Sequence, residues 1–506
     1  MDRPPFPCDL ILVFPHSESE TSYTNCTASS HGAAMRHPVP VVGTEQNASL
    51  RNRLFMHTWA GSGVFPRNDN ASGRDVPEHT PAPVAGLEDA GGRFSSPQRP
   101  YSIASNAPPP YEHIYIPEVD LENFEDYADG DYHPTVVGDH FHNGRYEVVH
   151  KLGFGGYSTI WLARDKHTQR LRSGDSTHIG RQFVPRLLDE FTFDGPNGHH
   201  TCLVQDPEGC SIAESKEDSV NFMFPTESAR SIAAQLIMRV SYLHSHGICH
   251  TRNFLLRGPN LDSLSPDELY SRYRLDKAPI TRVDGAAVEP RAPPYAVYPI
   301  YMKMHADKLV DPIVRISDYG TSFVVATEHS PKLHTPPLYI PPEDFFNQPI
   351  TQAADIWTLA ISLYEVLSER PLFETYAWDR DDIVAEMVST LGMPPARWWD
   401  AWEIRKEFFE EDGSWVRNIK RARMASFRPL HQCLWDMGRG ETSEACQWDV
   451  EGGEMRALEE LLRGMMTFEP TEKLTAEQLM RSEYMVNWAM PAWERQLETS
   501  RESVFQ

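Results

Sequence analysis

Three short stretches carry residue types suited to phosphate and metal chemistry. The turn "GFGGYS" is Gly153-Phe154-Gly155-Gly156-Tyr157-Ser158. Glycines let a backbone approach phosphate closely and adopt positive φ. The flanks "RYEVVHKL" and "STIWLARD" alternate and are β-branched, so they read as two strands joined by that turn. A glycine loop that opens a helix, as in dinucleotide folds, does not fit. A glycine-rich hairpin without a ligand fits the same residues. "ISDYG" (Ile316–Gly320) has the form in which an aspartate holds Mg²⁺ against nucleotide phosphates. A helix or turn cap is the alternative for Asp318. "HSHGICHTRNFLLRG" (His244–Gly258) places His250 and Asn253 just after a helical pattern.

Several elements must position these residues. "TESARSIAAQLIMRVSYLHSHG" has a helical apolar stripe, with Thr226 as the expected N-cap. "ADIWTLAISLYEVL" (Ala354–Leu367) is apolar on nearly all sides and reads as a buried helix. Strands early and helices late predict an α+β fold with a small sheet lobe and a larger helical lobe. Residues 1–112 are rich in Pro, Ser, Asn, Gly and His without periodicity, and read as a disordered extension. Within it, "LILVF" (Leu10–Phe14) is too short for a signal segment. "APPPYEH" suits a polyproline ligand for aromatic grooves, which makes a scaffold role a third reading.

An acidic connector, 113–143, follows the extension. The domain then runs over 144–490, with a small lobe at about 144–206 and a large lobe at about 207–490. An insert spans 258–312, and 491–506 form a tail. "LSPDELYSRYRL" within the insert predicts a short helix capped by Ser265.

The chain has 506 residues, 40% of them apolar, and a net charge of −25. That charge disfavours direct nucleic-acid binding, because phosphate backbones are held by Lys and Arg. It suits a basic protein partner, or simply a solvated acidic surface. Seven dispersed cysteines without a CxxC pair predict reduced thiols and an intracellular protein. No apolar run is long enough to span a membrane, so no membrane partner is expected.

Order and spacing then matter more than any one stretch. "YIPPED" (Tyr339–Asp344) follows "ISDYG", and "DIW" (Asp355–Trp357) opens the buried helix. Together with "DYHPTVVGDHFHNGRYEVVHKLGFGGYSTIWLARD", "RLLDEFTFDGPNGHHTCLV", "HGICHT", "DYGTSF" and "TLGMPPARWWDAW", the sequence resembles protein kinases, and more closely the SR-protein kinase-like group, over about residues 118–488.

The resemblance implies a two-lobed kinase-like fold and use of ATP and Mg²⁺. The lid Leu152 to Ser158 would cover the phosphates. "CLVQDPEG" would be the hinge, with Asp206 and Glu208 offering backbone groups to adenine; Gln205 stands where the family has an aromatic or apolar residue. His250 and Asn253 would be the remnant of the catalytic loop, with Asn253 and Asp318 as metal ligands. A simple turn residue is the alternative for Asn253. Glu343 would pair with Lys473, where the family has Arg, and Asp355 would be structural. Trp398, Trp399 and Trp402 are expected to pack.

The chain departs from the family at two places. The family's third strand carries V-A-L-K, and the following helix carries a Glu that pairs with the Lys. Here "ARDKHTQRLRSGDSTHIGRQFVPRLLDEF" runs almost directly from the second strand to the fourth, without either. An incomplete small-lobe sheet with unpaired edges is the expectation. Lys151 and Lys166 are the nearest lysines; Lys151, at the end of the first strand, is expected to face solvent, with a reach to phosphate as the alternative. The loop also lacks its Asp: none occurs between Cys249 and Arg257. Losing such a base costs about 10²–10⁴ in rate, and losing the phosphate-binding Lys costs comparably through lost electrostatic stabilisation. The resemblance thus implies an ATP-dependent serine/threonine kinase acting on Ser in basic, Arg/Ser-rich proteins, monomeric, and cytoplasmic or nuclear. The departures favour a pseudokinase acting as a binding protein or scaffold.

Overall fold

The computed structural model describes residues 9–15, 113–156, 158–166, 178–250, 253–262, 264–319, 322–328, 330, 333, 335–374, 380–416, 427–440 and 446–504. The rest of 1–112 lies outside these residues, and so do Tyr157, Thr251, Arg252 and Gly320.

The expected α+β, two-lobed arrangement is present. The small lobe is built on one six-stranded sheet. Its strands are β1 (Asp9–Pro15), β2 (His140–Phe141), β3 (Tyr146–Gly155), β4 (Ser158–Asp165), β5 (Leu187–Gly195) and β6 (Gly198–Gln205), in the spatial order β2-β3-β4-β1-β6-β5. The expected gap after β4 is therefore filled. β1 runs antiparallel to β4 from Asp9↔Arg164 to Pro15↔Ser158, and antiparallel to β6 over Ile11↔Gln205 to Val13↔Leu203. This corrects one expectation: the sheet is not left with open edges at that point, because Asp9–Pro15 pairs there. Leu10–Phe14 is a short uninterrupted apolar run of strand length.

The stretch expected to be a mere connector is also part of the lobe. Tyr115, Leu121, Phe124, Tyr127 and Tyr132 form a buried cluster with Ala278, Ile280, Ala292 and Ala296 of the insert. A second insert cluster, including Leu261, Leu269, Ile300 and Met302, packs on Val149 and Leu162, with Leu152 at its edge. The insert's short helix Pro266–Arg272 starts at Ser265, whose side chain accepts from Glu268 N–H while Glu268 accepts from Ser265 N–H. That reciprocal pair satisfies two N–H groups the helix leaves open.

The large lobe packs around α1 (Thr226–Ser245) and α2 (Gln352–Leu367), which share one hydrophobic core. α2 is buried nearly all round, as its composition requires. Thr351 caps α2 by accepting from Ala353 N–H. Thr226 is not the N-cap of α1: Pro225 holds that position, and Thr226 bonds Gln447 instead. The expected tail belongs to α3 (Met490–Val504), which packs on α1. Trp493 is buried in the core against Phe183, and Gln496 bonds Ser231 and the Pro312 carbonyl. The domain thus extends past 490. Trp398, Trp399 and Trp402 are core residues. Among the described residues, no helix is long and apolar enough to cross a membrane.

Candidate active site

The residues expected to hold metal are placed by two short strand pairs. Phe254–Leu256 pairs with Val314–Ile316, and Ile248–Cys249 pairs with Phe323–Val324. The first pairing sets Asn253 beside Asp318, and the Asn253 amide donates to the Asp318 carboxylate at 2.8 Å. The Ser317 N–H donates to the Asn253 carbonyl at 2.9 Å. Both residues take left-handed backbone, with φ of 93° and 62°. Asn and Asp tolerate that region better than other non-glycine residues, but it is sparsely populated. An amide oxygen and a carboxylate side by side are hard oxygen donors of the kind Mg²⁺ takes alongside substrate phosphates. The residues present therefore fit the metal end of a Mg²⁺–nucleotide site.

Asp355, at the start of α2, holds the loop that leads into this site. It is 2% exposed. Its carboxylate accepts the His250 N–H at 2.8 Å and the Cys249 thiol at 3.2 Å, and it meets His244 Nε2 at 2.9 Å. Burial beside this carboxylate raises the Cys249 thiol pKa well above its ordinary value. The His250 ring stacks on Tyr319 at 4.8 Å, and its Nδ1 lies 2.8 Å from Ser322 Oγ. Farther down, Lys473 donates to both Glu343 oxygens, at 2.9 and 2.7 Å, with both side chains buried.

The lid is the β3–β4 hairpin. Its tip is open, since a Cβ on Gly156 would meet nothing within 4 Å. Tyr157 lies outside the described residues. Phe154 and Ser158 flank the tip, and the Gly155 carbonyl accepts the Tyr132 hydroxyl. Leu152 packs toward the insert. Lys151 does not face solvent. It is 0% exposed, forms an ion pair with Glu122, and lies 5.5 Å from the Phe154 ring and 5.4 Å from the Trp161 ring. Burial lowers its pKa, opposed by the Glu122 charge. The solvent-facing expectation failed because a lysine just before a glycine turn has no local signal of burial; its partner comes from the segment ahead of the sheet.

At the hinge, Gly209 N–H donates to the Leu256 carbonyl at 2.7 Å. A Cβ on Gly209 would come within 3.0 Å of the Gly258 Cα, so this crossing requires glycine. The Glu208 side chain turns inward. Burial pushes its pKa up to about 8, and Arg315 Nε at 3.7 Å only partly opposes this. Asp206 stays near the surface, 3.6 Å from Arg186. Gln205 is buried and takes part in the β1–β6 and β5–β6 pairings.

Sequence reasoning missed three residues here. Tyr132 and Glu122 lie in the segment read as a connector. Arg239, on α1, is fully buried over the Phe254 ring at 4.3 Å, and its three guanidinium nitrogens find no hydrogen-bond partner among the described residues. Burial lowers its pKa to about 9. A charged residue interrupting the apolar pattern of α1 was the available signal.

A sheet lobe joined by a hinge to a helical lobe, with an Asn–Asp pair between them, is the architecture of a protein kinase. Residues 302–485 match the family model of the protein kinase domain. A serine/threonine protein kinase of Aspergillus fumigatus is 23% identical over 419 residues, which cover 78% of this chain and 96% of that one. The serine/threonine-protein kinase SRPK of Physarum polycephalum is 25% identical over 407 residues, or 72% of this chain and 91% of its own. Protein kinase dsk1 of Schizosaccharomyces pombe is 35% identical over a shorter stretch of 157 residues, covering 26% and 29%. These matches make the chain similar, over its large lobe, to the protein kinase domain and to serine/threonine kinases that include SRPK.

Proposed function

We propose that this polypeptide is an SRPK-like protein that holds Mg²⁺–nucleotide and binds basic, Arg/Ser-rich proteins while transferring phosphoryl groups poorly or not at all. The observation that carries this reading is the position of Lys151. The nearest lysine to the lid is fully buried against Glu122, and the strand standing where the family has its lysine-bearing strand, DLILVFP, contains no Lys or Arg. The loop from His250 to Asn253 has no aspartate. Asn253 and Asp318 would hold the metal, and the lid backbone would cover the phosphates. The bound nucleotide would supply the transferable phosphoryl group; among the described residues, neither a lysine beside the lid free to bind phosphate nor an aspartate in the His250–Asn253 loop stands ready for the transfer. The net charge of −25 suits a basic partner. The protein is monomeric and cytoplasmic or nuclear in this reading.

The test is calorimetric titration with Mg²⁺–ATP, beside transfer of labelled phosphate to an Arg/Ser-rich peptide. Saturable binding that Asp318→Asn weakens, without transfer, supports the proposal. Transfer at a rate typical of protein kinases, about 1–100 s⁻¹, sinks it.

The second reading is ATP-dependent phosphorylation of Ser in Arg/Ser-rich proteins. The Asn253–Asp318 contact and the hold of Asp355 on His250 favour it. Mass spectrometry of the tryptic peptide Val240–Arg252 from the native source separates the two. A heavier peptide with an Asp after Thr251 supports the kinase.

A further inference from the structure

The strand β1 is unlike the others in its sheet. β3 and β4 are joined by the glycine turn, and β5 and β6 by a tight turn at Pro196-Asn197. β1 is separated from the next described part of the lobe by residues 16–112, yet it lies inside the sheet and not at an edge. Ile11, Leu12 and Val13 each pair with a residue on both sides: Leu162 and Gln205, Trp161 and Val204, Ile160 and Leu203.

We propose that the space between β4 and β6 is a strand-acceptor site, and that the chain's own Asp9–Pro15 is its resident ligand. This goes beyond the proposed function and does not depend on nucleotide binding. Without β1, the facing edges of β4 and β6 would carry unpaired N–H and C=O groups. An extended apolar peptide satisfies both edges at once, which is the physics of strand addition, here with two edges to pair instead of one. A long tether suffices to deliver it, because loop-closure entropy grows only with the logarithm of length. The tether also keeps the strand at high effective concentration.

Occupancy reaches the lid. Pro15 pairs with Ser158, the first residue after the glycine turn. The site therefore ties the far N-terminus to the order of the β3–β4 hairpin, and it does so with a ligand that brings no cation.

The experiment uses the full chain with a specific protease site introduced within residues 16–112 and cut after folding, so that failure to fold without β1 cannot obscure the result. The N-terminal fragment is expected to co-elute with the remainder at the mass of one chain. Amides of 158–165 and 198–205 should keep their protection from hydrogen exchange. Excess synthetic peptide DLILVFP should displace the fragment while protection persists. In the uncut chain, Leu12→Pro removes a paired N–H and should speed exchange in both segments at least tenfold. Immediate separation of the fragment with protection unchanged would overturn the proposal. So would exchange in Leu12→Pro identical to that of the parent, or a two-chain species that loses protection on dilution.

Discussion

Among the described residues two lysine–glutamate pairs lie buried, one in each lobe, and they are held differently. In the large lobe, Lys473 donates to both oxygens of Glu343 and lies 3.4 Å from the Ala353 carbonyl, over the Trp357 ring. In the small lobe, Lys151 meets one oxygen of Glu122, while the other accepts the Tyr127 hydroxyl at 2.6 Å. Burial lowers both lysine pKa values, and the glutamate opposes it in each case. The first pair joins two parts of one helical core. The second stitches the segment ahead of the sheet to the hairpin that forms the lid. The same chemistry is a brace in one lobe and a tether in the other.

Removing one partner of a buried pair leaves a stranded charge, at a cost of about 3–5 kcal/mol. Glu343→Ala is expected to lower the free energy of unfolding by that amount in urea titration, across the whole large lobe. Glu122→Ala should cost a similar amount but act locally. Hydrogen exchange should rise in β3, in β4 and in residues 113–143, with the large lobe protected as before. If both variants lower one cooperative transition equally, the distinction between brace and tether fails.

Glu208 sharpens the comparison, as a buried carboxylate whose cation, Arg315, stands off at 3.7 Å. Its folded pKa is about 8, against an ordinary 4.5. Between those values the folded protein keeps a proton that the unfolded chain releases. Stability should therefore fall as pH rises from about 4.5 to about 8, by up to about 1.4 kcal/mol per pH unit. Glu208→Gln should flatten that slope, so the variant gains roughly 2–4 kcal/mol on the parent at pH 8 and little at pH 5. Urea midpoints at the two pH values measure it.

The legibility of these features in the sequence follows their range along the chain. Glu343, Lys473, Asn253 and Asp318 belong to motifs whose order is visible, so the Glu343–Lys473 pair could be named in advance, while Asn253 and Asp318 were named only as metal ligands, not as each other's partner. The buried α2 and the helix capped at Ser265 announce themselves by composition and local spacing. Lys151 could not be read this way, because nothing adjacent to it predicts burial and Glu122 sits in a segment that reads as an acidic link. β1 was hidden for the same reason. Five apolar residues in a polar stretch give a strand's length, but its two partners lie some 150 and 190 residues onward. Sheet pairing across such distances leaves no periodic trace. The domain's end at 490 falls short of α3 because the contacts that tie the helix in, such as Trp493 on Phe183, are made far away along the chain.

Arg239 inverts the logic of the pairs. It is a buried cation with no hydrogen-bond partner among the described residues, so its desolvation is only weakly offset. Arg239→Met keeps the packing over Phe254 and removes the charge. Its expected effect is stabilisation by roughly 1–3 kcal/mol, opposite in sign to loss of Glu343 or Glu122. A rise in thermal midpoint checks it; a fall would mean the guanidinium supports the loop in a way that outweighs its desolvation.

The smallest expected effect tests the tether most finely. The Tyr132 hydroxyl donates to the Gly155 carbonyl, while its ring packs edge-on against Tyr127 at 5.6 Å. Tyr132→Phe removes the bond and keeps the ring. A single hydrogen bond is worth about 0.5–1.5 kcal/mol net, and this one is confined to the hairpin, next to the exposed Gly156. The global urea midpoint should therefore move little, while exchange at Gly156 and Ser158 should quicken severalfold. Because Glu122 lies on the same tether, the double variant with Glu122→Ala should lose less than the sum of the two single effects. Strict additivity would mean that the hydroxyl and the ion pair hold the hairpin independently, and the small lobe would then have two braces in place of one tether.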